Sequence, residues 1–238
     1  MLKLSINILC WNNWNVLHNT LHNLAEDLKD IQGEVIIIDN GSIDGCEKVA
    51  TIANKENIGI SRAKNQGLDL CKGEYVLMLD GDVLYMPGSA RCLIEWLEHN
   101  PREFAIGFYP NKFTNQKNTD SQKHHEEVCV SLCDIISSPA ACIYYGMHRK
   151  EMFDLGIRCS EDGPFALPGY GWEDRDFFFQ MREAGIAQWI AKPNTPTGRY
   201  FHDINSSIKQ MGSEEYIRTS KIRATYFKDK WINSSIRI

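Results

Sequence analysis

Two uninterrupted apolar runs, each closed by an aspartate, constrain this chain most: "EVIIID" at residues 34–39 and "YVLMLD" at residues 75–80. A strand that shows one face to water alternates apolar and polar residues. These runs do not alternate, so each predicts a strand covered on both faces. The neighbouring segments supply the cover. "LSINILC" reads as a further strand. "NVLHNTLHNLAEDL" places Val16, Leu17, Leu21, Leu24 and Leu28 at helical spacing. "SRAKNQGLDLCKG" reads as a short helix that Gly73 closes, and "GSARCLIEWLEHN" as the next helix. Strand and helix alternating over short links predict an α/β chain with a mostly parallel central sheet and helices on both faces. Ligands of such sheets sit at the carboxyl ends of the strands. Asp39 and Asp80 fall there.

The second half is less regular. Residues 111–127, "NKFTNQKNTDSQKHHEE", are polar and without apolar period, which predicts an inserted loop in which His124 and His125 are surface residues. "ACIYYGMHRKEMF" reads as a strand entering a short helix. "CSEDGPFALPGYG" is rich in glycine and proline and precedes "WEDRDFFFQMREAG", a helix with Phe177, Phe178, Met181 and Ala184 on its apolar face and Gly185 as its C-cap.

A chain of 238 residues, 43% hydrophobic and 24% charged, suits one α/β domain with a full core. A net charge of -5 argues against a protein that coats nucleic acid, which requires clustered Lys and Arg. Eight cysteines without a CxxC pair suit neither a disulfide framework nor zinc spacing, and predict reduced thiols in a cytoplasmic protein. No run approaches the roughly 20 apolar residues of a membrane span. Contact with a membrane would be peripheral.

Asp80 and Asp82 pose the chemical question. Two like charges separated by one glycine end a buried strand. One reading is a solvated acidic turn. The other is a pair of hard carboxylates for Mg²⁺ or Mn²⁺ carrying a diphosphate, where the cation relieves the repulsion. The segment before the strand favours the second: Asn57-x-Gly opens a helix that carries Arg62, Lys64 and Asn65, and helix N-termini with nearby cations attract phosphate. "IIIDNGSIDG" reads either as a β-turn with Asx chemistry or as a loop where Asp39 accepts from a base or ribose. Glu173, Asp174 and Asp176 read either as first-turn acids that suit the helix dipole or as a catalytic cluster. The helix N-terminus lowers the pKa of an aspartate there, while Glu173 and a bound diphosphate raise it.

In order and spacing, "INILCWNN", "IIIDNGSIDG", "NIGISRAKNQG", "GEYVLMLDGDV", "GYGWEDRDFFFQMREAG" and "YFKDKW" resemble family-2-type glycosyltransferases of the GT-A fold. The resemblance spans most of the chain except residues 111–127. It departs where the first strand usually ends Pro-x-Tyr-Asn and here reads Leu9-Cys10-Trp11-Asn12, and where Lys64 replaces a usual Arg. The resemblance implies a single GT-A (Rossmann-like) domain over residues 1–238, with a nucleotide-sugar-binding half at 1–110, the insertion at 111–127 and an acceptor-binding, catalytic half at 128–238. It implies a UDP-sugar donor bound by Asn12, Asp39, Asn57, Lys64, Asn65, Asp80 and Asp82, and a divalent cation, Mn²⁺ or Mg²⁺, on Asp82 and Asp80 with His202 as a late ligand. "GWEDRD" resembles the acceptor-side motif of inverting galactosyl- and N-acetylhexosaminyltransferases. That makes Asp174 the catalytic base, Glu173 a binder of sugar or acceptor hydroxyls, and Trp172 a wall of the sugar pocket. Saccharide, glycolipid, protein and modified nucleic acid all remain open as acceptor. The rivals are a nucleotidyltransferase, which would carry a glycine-rich basic loop where this chain has "CWNNWNV", and a non-catalytic nucleotide-sugar- or saccharide-binding module.

Overall fold

The computed structural model describes residues 2–83, 85, 87–99, 103–106, 144–185, 187–190 and 211–233. The inserted segment at 111–127, with His124 and His125, and the proposed ligand His202 lie outside the described residues.

The strands are β1 (Leu4–Cys10), β2 (Gly33–Asp39), β3 (Ile52–Ala53), β4 (Tyr75–Asp80), β5 (Glu103–Ile106), β6 (Tyr144–His148) and β7 (Ala187–Ile190). Their order across the sheet is β3-β2-β1-β4-β6-β5-β7. The β3-β2-β1-β4 half is parallel throughout. β6 runs against both β4 and β5, and β7 is parallel to β5. Register aligns the carboxyl ends: Cys10 lies opposite Asp39 on one side, and Leu9 opposite Asp80 on the other.

The helices are α1 (Trp14–Asp27), α2 (Ile60–Leu70), α3 (Ser89–His99), α4 (Arg149–Asp154), α5 (Glu173–Glu183) and α6 (Ser213–Lys228). Residue parity sorts the core onto two faces. Leu4, Ile6 and Ile8 of β1 and Tyr75, Leu77 and Leu79 of β4 pack with Leu17 and Leu24 of α1 and with Ala90, Leu93 and Leu97 of α3. Ile36 and Ile38 of β2 and Val76 and Met78 of β4 pack with Ala63 and Leu68 of α2 and with Phe177, Phe178 and Met181 of α5. Both faces of β4 are therefore covered, which is why its sequence does not alternate. Among the described residues, no helix is long and apolar enough to cross a membrane.

Gly73 corrects the reading of it as a helix cap. α2 ends at Leu70, and Cys71 already has extended backbone. Gly73 instead lies against β1, where a Cβ would meet the Ser5 nitrogen at 2.4 Å and the Leu4 carbonyl carbon at 2.5 Å. Its N–H donates to Ser5 Oγ at 2.7 Å. The glycine is required by a close backbone approach before β4 begins, and Cys71 makes the turn out of the helix.

Candidate active site

The carboxyl ends of β1 and β4 and the start of α5 enclose a cavity of about 350 Å³, whose lining includes Trp11, Asn40, Asn57, Lys64, Asp80, Asp82 and, opposite them, Tyr170, Trp172, Glu173, Asp174 and Tyr216. Each wall has its own cause.

The first wall is built on backbone pairing. Asp80 closes β4, and the chain turns at once, with the Val83 N–H on the Asp80 carbonyl at 3.1 Å. Gly81 presses against β1: its N–H donates to the Leu9 carbonyl at 2.7 Å, and a Cβ there would meet Cys10 Cβ at 2.7 Å. Only glycine fits between the two aspartates, so both carboxylates are delivered to one cavity. Asn40 ties the β2 loop to the turn that enters α2. Its Nδ2 donates to Asn57 Oδ1 at 3.0 Å, and its Oδ1 accepts from the Ile58 N–H at 3.1 Å. Asn7, buried on β1, donates to the backbone carbonyl of Lys64 at 2.8 Å and so holds that turn of α2 against the sheet.

Lys64 joins the two walls. It is almost fully buried, and its Nζ lies 3.3 Å from Asp80 and 3.2 Å from Asp174, a residue 110 positions away. Burial, and then the charges of Glu173 and Asp80, push the Asp174 carboxyl up to about 7 against the pull of Lys64. Burial, with Asp82 and Glu173, pushes Asp80 up to about 6, again against Lys64. Burial and the same group of carboxylates hold the Tyr170 phenol well above its ordinary value.

The second wall is held by buried side-chain pairs. Trp172 adopts φ 73, a left-handed conformation uncommon outside glycine. Its half-buried ring stacks under the Arg175 guanidinium at 4.3 Å and lies 5.2 Å from the Phe227 ring. Arg223 of α6 is 1% exposed. It pairs with Glu173 at 3.2 Å and donates to the carbonyls of Leu167 at 2.8 Å and Gly171 at 3.4 Å. Asp176, wholly buried, accepts from Trp231 Nε1 at 2.6 Å and pairs with Lys230 at 3.0 Å. All three acids of the first turn of α5 thus have specific partners, beyond what the helix dipole alone asks of them.

Of the residues singled out from sequence, Asn57, Lys64, Asp80, Asp82, Trp172, Glu173 and Asp174 share the cavity wall. Asp39, Asn12 and Asn65 stand behind it. Asp39 is buried and accepts from the Ser42 N–H at 3.1 Å. Asn12, at φ 51, accepts from the Ile43 N–H at 2.9 Å. Asn65 clamps the backbone of Cys159 from both sides, donating at 2.8 Å and accepting at 3.1 Å. Sequence reasoning missed Arg223, Asn40 and Tyr216. No sequence signal pointed to Arg223: the buried face of α6 carries the polar Thr219 and Arg223 with Phe227, while its isoleucines, Ile217 and Ile222, are exposed.

A family model described as Glycosyl transferase family 2 matches residues 5–162. The chain is 32% identical over 169 residues to the poly(ribitol-phosphate) beta-N-acetylglucosaminyltransferase TarP of Staphylococcus aureus (strain N315), covering 66% of this chain and 50% of TarP. It spans about half the length of the curated relatives it matches first. Among solved structures, S. aureus TarS 1-349 in complex with UDP superposes with a TM-score of 0.66 at 15% identity, over 94% of this chain and 64% of that one. Glucosyl-3-phosphoglycerate synthase from Mycobacterium tuberculosis, in complex with Mn²⁺, UDP and glucosyl-3-phosphoglycerate, superposes at 0.61 with 18% identity, over 94% of this chain and 80% of that one.

Proposed function

This chain belongs to glycosyl transferase family 2 and has the GT-A fold, and from that membership we propose that it transfers a sugar from a UDP-sugar to an acceptor hydroxyl with inversion at the anomeric carbon. One observation carries the reading. Asp80 and Asp82 on one wall and Asp174 on the other open onto the same cavity, with the Lys64 ammonium between Asp80 and Asp174.

Residues 1–110 form the donor half of one domain over 1–238, and residues 128–238 the acceptor half. The donor set fits a divalent cation, Mn²⁺ or Mg²⁺: two hard carboxylates converge, and Asp80 is pushed up in part by Asp82, a repulsion that a cation offsets. Asp82 and Asp80 would hold it, with His202 as a further ligand. When bound, it supplies charge neutralisation for the departing diphosphate. Asn57 and Lys64 face the donor directly. Asp39, Asn12 and Asn65 act from behind, by fixing the Ser42 turn and the seat of α2.

Asp174 takes the acceptor's proton. A carboxyl near 7 is well matched to a base working at neutral pH. Lys64 orients that carboxylate and favours its ionised form. Glu173, one oxygen already on Arg223, binds sugar or acceptor hydroxyls, and Trp172 lines the sugar pocket. Unpaired thiols at Cys10, Cys46, Cys71 and Cys159 support a reducing, cytoplasmic setting.

Calorimetry of UDP with and without Mn²⁺ tests the donor side. Asp82→Ala should lose the cation-dependent gain in affinity while the fold persists, and an equal gain in the variant would remove Asp82 from the cation site. UDP release from a panel of UDP-sugars tests turnover, and binding without release would leave a binding module.

A further inference from the structure

A second group of ligand-type side chains lies at the edge of the donor wall, where Cys10 also lines the cavity, and none of the roles above uses its two cysteines. The sulfurs of Cys10 and Cys46 and a carboxylate oxygen of Asp39 lie within 4.8 Å of one another, all three residues buried. Cys10 closes β1. Cys46 follows the β2 loop in a 3-10 turn, Cys46–Lys48. Cys10 Sγ is 3.8 Å from Asp39 Oδ1, and Cys46 Sγ is 3.6 Å from the side-chain oxygen of Asn13, itself buried.

We propose that Cys10, Cys46 and Asp39, with Asn13 Oδ1 as fourth donor, form a binding site for one thiophilic divalent cation of the Zn²⁺ class, separate from the Asp80–Asp82 carboxylates. Three features carry it. A tetrahedral zinc centre with the usual bond lengths has sulfur–oxygen edges of about 3.5 Å and sulfur–sulfur edges of about 3.8 Å. The two sulfur–oxygen distances above lie close to that edge. Next, a thiol has one proton, yet Cys10 faces both the Ile38 carbonyl oxygen at 3.5 Å and Asp39. The proton serves only one of them at a time, so the other oxygen faces the sulfur with its lone pair free to meet a cation. Finally, ligand softness separates the two sites: thiolates select zinc-like ions, whereas Asp80 and Asp82 suit Mg²⁺ or Mn²⁺.

Binding exchanges two S–H bonds for two metal–sulfur bonds and releases two protons to solvent, with no change of oxidation state. The dication balances both thiolates. The remaining charge of Asp39 is met by the Ser42 N–H at 3.1 Å. Contact with the Cys46 thiol, and then burial, holds the Cys10 thiol above its ordinary value, so the cation displaces a proton there. Of the neighbouring carboxylates, Asp44 accepts from the N–H groups of Trp14 at 2.8 Å and Cys46 at 3.2 Å, and Glu47 from the Gly45 N–H at 3.0 Å. A cation here would cross-link the end of β1 to the loop that carries Asn40.

The test uses the full chain, stripped by chelator and kept reduced, and does not depend on sugar transfer. Titration with Co²⁺ should raise a near-ultraviolet thiolate-to-cobalt charge-transfer band that saturates at one cation per chain and is displaced by Zn²⁺. Cys46→Ser should abolish the band, and Asp82→Asn should retain it. For the unmodified chain loaded with one Zn²⁺, X-ray absorption should show two sulfur neighbours. Absence of the band, its persistence in a folded Cys46→Ser variant, or an all-oxygen zinc shell would each overturn the site.

Discussion

The two walls of the cavity are made differently. The β1–β4 wall is delivered by main-chain hydrogen bonds: Asp80 and Asp82 stand where they do because parallel strands end in register and Gly81 lies against Leu9 and Cys10. The α5–α6 wall is delivered by buried side-chain pairs between segments about fifty residues apart, Arg223 with Glu173 and Trp231 with Asp176. A wall held by backbone tolerates most side-chain changes. A wall held by a few buried charges fails when one partner is removed, since the other is left without compensation.

The sharpest break is at the junction. Asp174→Asn keeps the shape and removes the proton acceptor. It should cost on the order of 10²–10⁴ in transfer rate while UDP affinity with Mn²⁺ holds, as read by single-turnover kinetics beside calorimetry. A near wild-type rate, combined with loss in Glu173→Gln, would exchange the two roles. Next, Arg223→Met should destabilise by about 3–5 kcal/mol, because Glu173 keeps a buried charge. Pairing it with Glu173→Gln should recover part of that loss in denaturant titrations. Additive losses would show that the pair does not hold this wall. Trp231→Phe removes the indole donor to Asp176 and should cost about 1–3 kcal/mol, with Asp82-dependent cation binding unaffected if the walls are independent.

The last break is in pH. Asp174 is pushed up to about 7 from an ordinary value of 3.8, so the folded state binds its proton more tightly than the unfolded chain. Its contribution to stability is therefore full below about pH 4 and is lost as pH rises to about 7. In the cation-free protein, the melting temperature of wild type relative to Asp174→Asn should fall across that window. A flat difference would mean that Asp174 is ordinarily solvated. Lys64→Met should steepen the fall, since the cation that opposes the shift is gone.

Legibility followed the same division. Three of the four parallel strands, β1, β2 and β4, with α1 to α3 and the Asp80–Asp82 pair, were readable because burial on both faces and helical spacing are local patterns; β3, two residues long, carries no such pattern. "WEDRD" was readable as an acidic helix start, but not which acid met which partner. The misreading of Gly73 was also local in origin. Gly73 resembles a helix cap by position, yet its cause is a strand that arrives from almost seventy residues earlier. Asp39 ends a strand at the carboxyl edge, and what the sequence did not show is that its carboxylate accepts from the Ser42 N–H.

The sequence by itself determined an α/β sheet with acids at its carboxyl edge, because apolar period and strand-end position are properties of neighbouring residues. Only the tertiary structure decided that Lys64 spans Asp80 and Asp174, that Arg223 holds Glu173, and that Cys10, Asp39 and Cys46 converge. Each of these depends on where one element lands on another. A charge or a thiol carries no record in its own neighbourhood of a partner fifty or a hundred residues away; the packing of α2, α5 and α6 on the sheet supplies it.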